Sequence, residues 1–189
     1  MRWHHRKTLY RKHEKEVNTQ NHEISIEPKL GHSDAFEKVF EDIEEFLDTP
    51  KDELPYDLIF YVRDMDTCYR QKKITTYKKL KKRLLSKPKA KNRLFFIESR
   101  PCIEFWFLLH FFKTDRLLNS CSEAEKQLLS HLIKYKKNEQ YARAVYNDLR
   151  PLLEIALENA DEINSKKRQP GEQYSYSEIN ELYKKLCAL

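Results

Sequence analysis

The chain has 189 residues, of which 35% are charged and only two are glycine, a balance that favours one helix-rich domain over a β-sandwich or barrel. Its formal net charge of +6 is unevenly spread: residues 34–57 hold ten acids and two lysines, whereas residues 70–93 hold twelve lysines or arginines and no acid. Because a surface of one sign attracts polyanions, the basic segment makes a nucleic-acid partner a hypothesis to test.

The N-terminal part is predicted to hold an exposed helix, a short strand and an amphipathic helix. Residues 5–17 are rich in Arg, Lys and Glu, and the apolar segment of a secretory signal does not follow them. Apolar and polar residues alternate from 24 to 27, which predicts a strand. Apolar residues recur at three- and four-residue steps from 36 to 47, which predicts a helix with Ser33 as its N-cap.

A central strand is predicted to end in two acids. Residues 58–62, Leu-Ile-Phe-Tyr-Val, form an aromatic and β-branched run that is typical of a strand buried on both faces. Asp64 and Asp66 follow two residues apart, so they share one face at the end of the strand, where open parallel sheets bind ligands. Because the two carboxylates repel each other and a divalent cation offsets the repulsion, the pair predicts Mg²⁺; a solvated acid pair in a loop is the alternative.

A basic helix and a second buried strand follow. The helix is predicted over residues 70–85, with apolar residues inward and basic residues outward. The basic positions expected to bind nucleic-acid backbone are Lys78, Lys79, Lys81, Lys82 and Arg83. The lack of interleaved acids favours that function over a merely solvated face. Residues 94–97 predict the next strand, and strands alternating with helices predict a small, mostly parallel α/β sheet.

The segment 101–112 is apolar on nearly every side and starts with proline, which predicts a buried helix. Glu104 lies in its first turn, so it must meet a cation, a hydrogen-bond network or a metal, unless it caps its own helix. His110 is predicted to be a hydrogen-bonded core histidine rather than a ligand. Glu104 is further predicted to converge with Asp64 and Asp66, joined by Glu98, on one Mg²⁺-competent edge.

The remainder is predicted to be helical over 122–136 and 140–163, with a bend at Pro151. A polar linker then leads to a last helix that Ser177 caps and that ends near Cys187. The division expected from this pattern is an α/β core over 1–113 and a helical extension over 114–189 that packs on the core.

Four cysteines are widely spaced, without a C-x-x-C pair or a histidine cluster at zinc spacing, so they are predicted to be reduced thiols in a cytoplasmic protein. Apolar runs fall far short of the roughly 20 residues that span a bilayer, and no membrane partner is expected.

Two motifs together resemble a known family. The Asp-x-Asp strand is followed, one βα unit later, by a second motif made of Ser99, Pro101, Cys102, Glu104, Trp106, Leu108, Leu109, His110 and Phe111. The pair is similar to the RloB family of Toprim-like proteins found with restriction and phage-defence genes, from about residue 24 to the C-terminus. The resemblance implies Mg²⁺-dependent cleavage of phosphodiesters, with Asp64 and Asp66 as metal ligands and Glu104 as a further catalytic residue.

The sequence departs from the family pattern at three places. Arg100 stands where the family usually has Asn before the Pro, and a phosphate-binding role is expected for it. Asn180, in the segment from Ser177 to Leu182, stands where the family usually has His. A Toprim domain begins with a strand ending in Glu-Gly, and no such motif precedes residue 24, so either the gene start is truncated or the glutamate is lost.

Three functions follow from this reading. The first is an abortive-infection or phage-defence nuclease that uses Mg²⁺ and acts with a partner from the same operon. The second is a catalytically silent relative that binds nucleic acid or regulates a partner. The third is an α/β interaction protein whose acids are only solvated. An in-frame strand ending in Glu-Gly upstream of Met1 would favour the enzyme.

Overall fold

The computed structural model describes residues 35–50 and 56–188, and shows an α/β protein. The predicted helix 5–17, the strand 24–27 and the Ser33 cap lie outside the described residues. The described elements are, in order, α1 (Phe36–Asp48), β1 (Ile59–Asp64), α2 (Asp66–Arg70), α3 (Ile74–Leu85), β2 (Leu94–Arg100), α4 (Ile103–Leu108), α5 (Cys121–Leu128), α6 (Glu139–Leu149), α7 (Leu153–Ser165), β3 (Tyr176–Ser177) and α8 (Ile179–Cys187).

Within the described residues the sheet has the order β1-β2-β3 and is mixed. β1 and β2 are parallel, in register from Ile59 opposite Leu94 to Asp64 opposite Ser99. This pairing confirms that the two predicted strands are neighbours. β3 pairs antiparallel with the end of β2. Of the two described strand pairs, only β1 and β2 therefore match the predicted parallel arrangement. The parallel, Toprim-like architecture stays a prediction.

One core lies between β1, β2 and the helices α1 and α3. Phe40 of α1 is fully buried, and its ring contacts those of Tyr61, Phe96 and Tyr77 at centroid distances of 5.0, 5.5 and 5.5 Å. Aromatic rings at such distances add to the stability that their buried area provides. The inward face predicted for the basic helix is confirmed, because Tyr77 and Leu84 are buried. Burial of β1 on both faces is wrong, because Phe60 and Val62 are only half-buried.

The continuous helix predicted over 70–85 is wrong, because the chain forms α2 and α3 with a break between them. Lys72 has φ 54°, its amide donates to the Tyr69 carbonyl, and the Lys73 amide donates to the Cys68 carbonyl. This hydrogen-bond pattern is a Schellman motif, which usually has glycine at the left-handed position. A lysine at that position left no sign of the break in the sequence.

A second core surrounds α4, and residues 101–110 are all buried. The buried helix is therefore confirmed, although its regular part covers only Ile103–Leu108 because Cys102 before it is extended. The predicted helix 122–136 is shorter as well: α5 ends at Leu128, after a start capped by the Ser120 hydroxyl, which accepts from the Glu123 amide at 3.2 Å.

The C-terminal part returns to the sheet. The predicted bend at Pro151 is confirmed as a 3₁₀ turn, Arg150–Leu152, between α6 and α7. β3 then extends the sheet from a part of the chain for which no strand was predicted. The division at residue 113 stays a prediction. No helix among the described residues combines the length and the apolar character that crossing a membrane requires.

Candidate functional site

The two predicted metal ligands lie at the end of β1, where the chain meets the start of α4. Asp64 and Asp66 are each 8% exposed. Asp64 Oδ1 accepts from the Ile103 amide at 2.9 Å, and the Asp66 amide donates to the Pro101 carbonyl at 2.9 Å. The end of β1 and the second family motif are therefore in direct contact, as is expected if both lie at the same edge of the sheet.

Asp64 thus takes the capping role that was one alternative for Glu104. Cys102 precedes α4 and supplies no side-chain cap, and the first helical amide bonds instead to Asp64. A carboxylate on a helix amide is a charge-assisted bond that also favours the folded helix start. Asp66 Oδ1 accepts from the Thr67 hydroxyl at 3.2 Å.

Glu104 meets a buried network, which confirms the expectation that it cannot stand alone. It is 4% exposed, and its Oε1 accepts from the Tyr135 hydroxyl at 2.8 Å and the Lys137 ammonium at 3.1 Å. Burial pushes the pKa of Glu104 up, but Lys137, with the Cys102 thiol and Tyr135, outweighs burial and holds the pKa below its ordinary value. Glu104 is therefore charged at neutral pH.

Glu98 belongs to a different network, on the sheet face that α3 covers. Its Oε1 accepts from Tyr77 at 2.9 Å and Lys81 at 2.5 Å, and its Oε2 accepts from Tyr176 at 3.0 Å. Both oxygens are thus engaged by partners that do not contact Glu104. The predicted convergence of all four carboxylates on one edge stays a prediction, and the structure supplies direct contact only between Asp64 and the helix that carries Glu104.

Glu178 lies beside Glu98 and is tied to it through the backbone. The Glu98 amide donates to Glu178 Oε2 at 2.9 Å, and the Glu178 amide donates to the Glu98 carbonyl at 2.9 Å. Burial, with the charge of Glu98, raises the pKa of Glu178 to about 7 against the bond from the Glu98 amide and the charge of Lys81.

The C-terminal family segment is anchored by buried polar bonds. The Ser99 and Ser177 hydroxyls are 2.8 Å apart, and Ser177 is fully buried. The predicted cap by Ser177 is wrong, because Glu178 is the residue before α8, the helix start has no side-chain cap, and the Ser177 hydroxyl lies 3.5 Å from the Ile179 amide. Asn180, at the position where the family usually has His, is fully buried and donates to Asp161 Oδ1 at 2.6 Å. Asn180 thus holds α8 against α7.

The predicted nucleic-acid residues divide into paired and unpaired cations. Lys81 is not on the outward face as expected but reaches Glu98, and Arg83 bonds to Glu44 of α1 at 2.5 Å. Lys78, Lys79 and Lys82 are exposed and form no ion pair with another described residue.

Arg100 is half-buried, with its guanidinium 3.9 Å from the centroid of the Tyr69 ring and 2.7 Å from the Gln173 side-chain oxygen. These contacts hold the guanidinium in one place beside the strand end. The phosphate-binding role expected for Arg100 stays a prediction.

His110 is confirmed as a core histidine. Its Nδ1 bonds to the Trp106 carbonyl at 3.0 Å, and because a carbonyl only accepts, Nδ1 carries the proton. Burial lowers the pKa of His110 to about 4, so the imidazole is neutral at physiological pH. All four cysteines are free thiols, as predicted.

Sequence reasoning missed three partners of the buried carboxylates, namely Tyr135, Lys137 and Tyr176. Each lies far along the chain from the residue it contacts, and each segment reads as ordinary helix or loop. The signal that was present is a charged residue in an apolar helix, which predicts a partner without naming it.

The donor set at the end of β1 suits Mg²⁺. Mg²⁺ prefers oxygen ligands and is commonly held by one or two carboxylates together with substrate phosphates, so Asp64 and Asp66 are a sufficient protein contribution. Asp64 and Asp66 have further contacts within the chain, and an ion would have to be bound alongside or in place of them.

The fold and this site define an α/β protein with an acidic strand end set against a buried helix start. The family profile described as RloB-like protein matches residues 5–186. The chain belongs to the RloB-like family. No curated protein matches it significantly, and neither does any solved structure.

Proposed function

We propose that this protein is a Toprim-type, Mg²⁺-dependent nuclease of a phage-defence system, with Asp64 and Asp66 as the metal ligands. Membership of the RloB-like family supports the proposal. The observation that carries it is the contact of Asp64 with the Ile103 amide, because that contact joins the acidic strand end to the second family motif. Abortive infection together with a partner protein from the same operon is part of the proposal.

The bound Mg²⁺ would polarise the scissile phosphate and stabilise the departing oxygen. The chain's own contribution is to hold Asp64 in place through the α4 amide and to exclude bulk water around both buried acids. Glu104 is retained in the proposal as the further catalytic carboxylate, one residue beyond the amide that Asp64 accepts from. Arg100 is proposed as a cation for a neighbouring phosphate.

Asp66→Asn tests the metal site with the least structural damage, because Asp64 also caps α4. The full chain would be incubated with labelled single-stranded and duplex DNA and RNA, with Mg²⁺ or with a chelator. The proposal expects cleavage that needs Mg²⁺ and that is lost in the variant, because one of the two metal ligands is gone. Glu158→Gln, a change at an exposed acid without a bond to another described residue, is the matched control. Cleavage that persists in Asp66→Asn, or that needs no Mg²⁺, contradicts the proposal.

A catalytically silent nucleic-acid binder is the second candidate, favoured by the exposed Lys78, Lys79 and Lys82. These three lysines form no ion pair within the part of the chain that the structure describes, whereas Lys81 and Arg83 would have to leave Glu98 and Glu44 to contact a phosphate. Phosphate contacts release counterions, so affinity falls with salt at a log-log slope of about −0.9 per contact on duplex and −0.7 on single strands.

The triple variant Lys78→Gln, Lys79→Gln and Lys82→Gln measures this contribution. Binding of all sequences should weaken alike, and the salt slope should become shallower by roughly two to three units on duplex. The control carries the same charge loss at other exposed lysines: Lys126→Gln, Lys134→Gln and Lys167→Gln. Equal slopes in the two variants would show that net charge alone sets the binding. No binding by the unmodified chain would leave the α/β interaction protein as the explanation.

A further inference from the structure

A second cluster of metal-ligating groups lies behind the acidic strand end. One ligand atom from each of Cys102, Glu104 and Cys121 lies within 4.8 Å of the others, and all three residues are buried. Among the described residues this is the one such group of three or more. Asp64 and Asp66 are not members, so the cluster is distinct from the magnesium site proposed above.

The backbone brings the three side chains together from two helices. Cys102 immediately precedes α4, Glu104 lies in its first turn, and Cys121 is the first residue of α5, which packs against α4. The segment between the helices turns the chain back, so residues that are well separated in sequence meet. The spacing is therefore not a zinc-finger pattern, which explains why cysteine counting gave no sign of it.

We infer that Cys102, Glu104 and Cys121 form a binding site for a thiophilic divalent ion of the Zn²⁺ class. Two thiolates and one carboxylate oxygen supply three ligands, and water takes the fourth position of a tetrahedral ion, as in zinc sites with three protein ligands. With Zn–S bonds of about 2.3 Å, the sulfurs of a tetrahedral site stand about 3.8 Å apart. The sulfurs of Cys102 and Cys121 lie within 4.8 Å of each other, so their separation needs a contraction of about 1 Å or less.

The charge of the site is balanced with and without the ion. Without it, the two thiols are neutral and the Glu104 carboxylate is paired with the Lys137 ammonium at 3.1 Å. Binding follows M²⁺ + 2 RSH → M(SR)₂ + 2 H⁺, so one divalent ion replaces two protons and the buried net charge does not change. Lys137 also bonds to Glu125 at 2.8 Å, which offsets its repulsion of a second cation.

The donor chemistry separates this site from the one at the strand end. Thiolates select Zn²⁺ and Cu(I), whereas Mg²⁺ takes oxygen ligands. The inference goes beyond the proposed nuclease and does not depend on it. The cluster uses the Glu104 carboxylate as a ligand, whereas the ligands of the proposed magnesium site are Asp64 and Asp66.

Metal binding by the full chain, reduced and freed of metal with a chelator, tests the inference. Cobalt(II) is the spectroscopic probe, because cobalt-thiolate bonds absorb in the near ultraviolet. The expected result is one equivalent of Co²⁺ with thiolate absorption, displaced by Zn²⁺ and unaffected by a thousandfold excess of Mg²⁺. Zn²⁺ should also raise the Tm of the unmodified chain, because an ion that binds only the folded state stabilises it.

The variants Cys102→Ser and Cys121→Ser, and their combination, should lose the absorption and the shift in Tm. Cys187→Ser, at an exposed thiol, and Asp66→Asn should retain both. Absent Co²⁺ absorption in the unmodified chain overturns the inference without any variant, so a variant that fails to fold does not prevent the test. Absorption that survives Cys102→Ser with Cys121→Ser, or that is lost in Asp66→Asn, overturns it as well.

Discussion

Glu98 and Glu104 are two buried carboxylates, 8% and 4% exposed, that meet the same need with different partners. Each is bonded to one lysine and to at least one tyrosine hydroxyl. Glu98 has three donors from the sheet and α3, whereas Glu104 shares its environment with two thiols and depends on one cation from the loop before α6. The difference indicates that Glu98 stabilises the sheet through several donors. Glu104 has fewer donors, so it should tolerate the loss of one less well.

Removal of the cation at Glu104 should have the largest effect. Lys137→Met leaves a buried carboxylate with a hydroxyl and thiols but no positive charge, and the expected loss is about 3 kcal/mol of unfolding free energy. Urea denaturation at pH 7.5 measures it. Lys134→Met, at an exposed lysine nearby, is the control and should change the free energy by less than about 0.5 kcal/mol. Equal losses in the two variants would show that Glu104 does not depend on Lys137.

The pH dependence of stability should report on Glu178, which is hydrogen-bonded to the backbone of Glu98. Its pKa in the folded chain is about 7, above its ordinary value of 4.5. Between these values the folded state holds a proton that the unfolded state has released, so stability from this group is complete below about pH 4.5 and is lost as pH rises to about 7.

Glu178→Gln removes this dependence. The unfolding free energy of the unmodified chain minus that of the variant should fall by about 2 kcal/mol between pH 5 and pH 8, a value discounted for partial exposure of the carboxyl. His110, with its pKa lowered to about 4, titrates in both proteins and cancels in the difference. A difference that stays flat, or rises, with pH would refute the assignment.

Loss of the cation at Glu98 should be milder than loss of the cation at Glu104. Lys81→Met leaves the carboxylate with the hydroxyls of Tyr77 and Tyr176. The expected loss of unfolding free energy is about 1.5 kcal/mol, the lower end of the range for one hydrogen bond to a charged group. The comparison fails if Lys81→Met costs as much as Lys137→Met in the same denaturation experiment.

Removal of an exposed ion pair should have the smallest effect on the unfolding free energy. Arg83 bonds to Glu44 at 2.5 Å, with half of the arginine side chain exposed. Arg83→Gln should cost less than about 0.5 kcal/mol, because exposed pairs are screened and pay side-chain entropy. The effect should shrink further in 0.5 M salt. A loss near that of Lys81→Met would indicate that α1 and α3 depend on their ion pairs more than on their aromatic core.

Sequence periodicity predicted the helices and strands wherever an apolar pattern was long enough. The run 58–62 and the apolar steps of α1 gave elements within a few residues of those observed. Two features gave no pattern: the left-handed Lys72, which breaks the basic helix without glycine, and β3, whose two residues are too few to alternate. Short elements of this kind are fixed by tertiary contacts rather than by local preference.

The sequence predicted which residues form the candidate site, but not which residues they contact. Apolar surroundings predicted that Glu104 would be buried and bonded, and the strand pattern placed Asp64 at the edge of the sheet. The contact of Asp64 with the Ile103 amide and the approach of Cys121 to Cys102 depend on how α4 and α5 pack. Neither leaves a local signal, because both join residues that are distant in sequence.

The bond between Ser99 and Ser177 also bears on the order in which the chain can fold. The two hydroxyls belong to residues 78 positions apart, and α8 is the one described element that follows β3. Contacts with such separation form late, because a long loop must close first. On the ribosome, β2 therefore cannot gain its third-strand partner until residues 176–177 have left the exit tunnel. Until then, the end of β2 that carries the second family motif has an unpaired edge, the state in which a nascent chain is most exposed to mispairing.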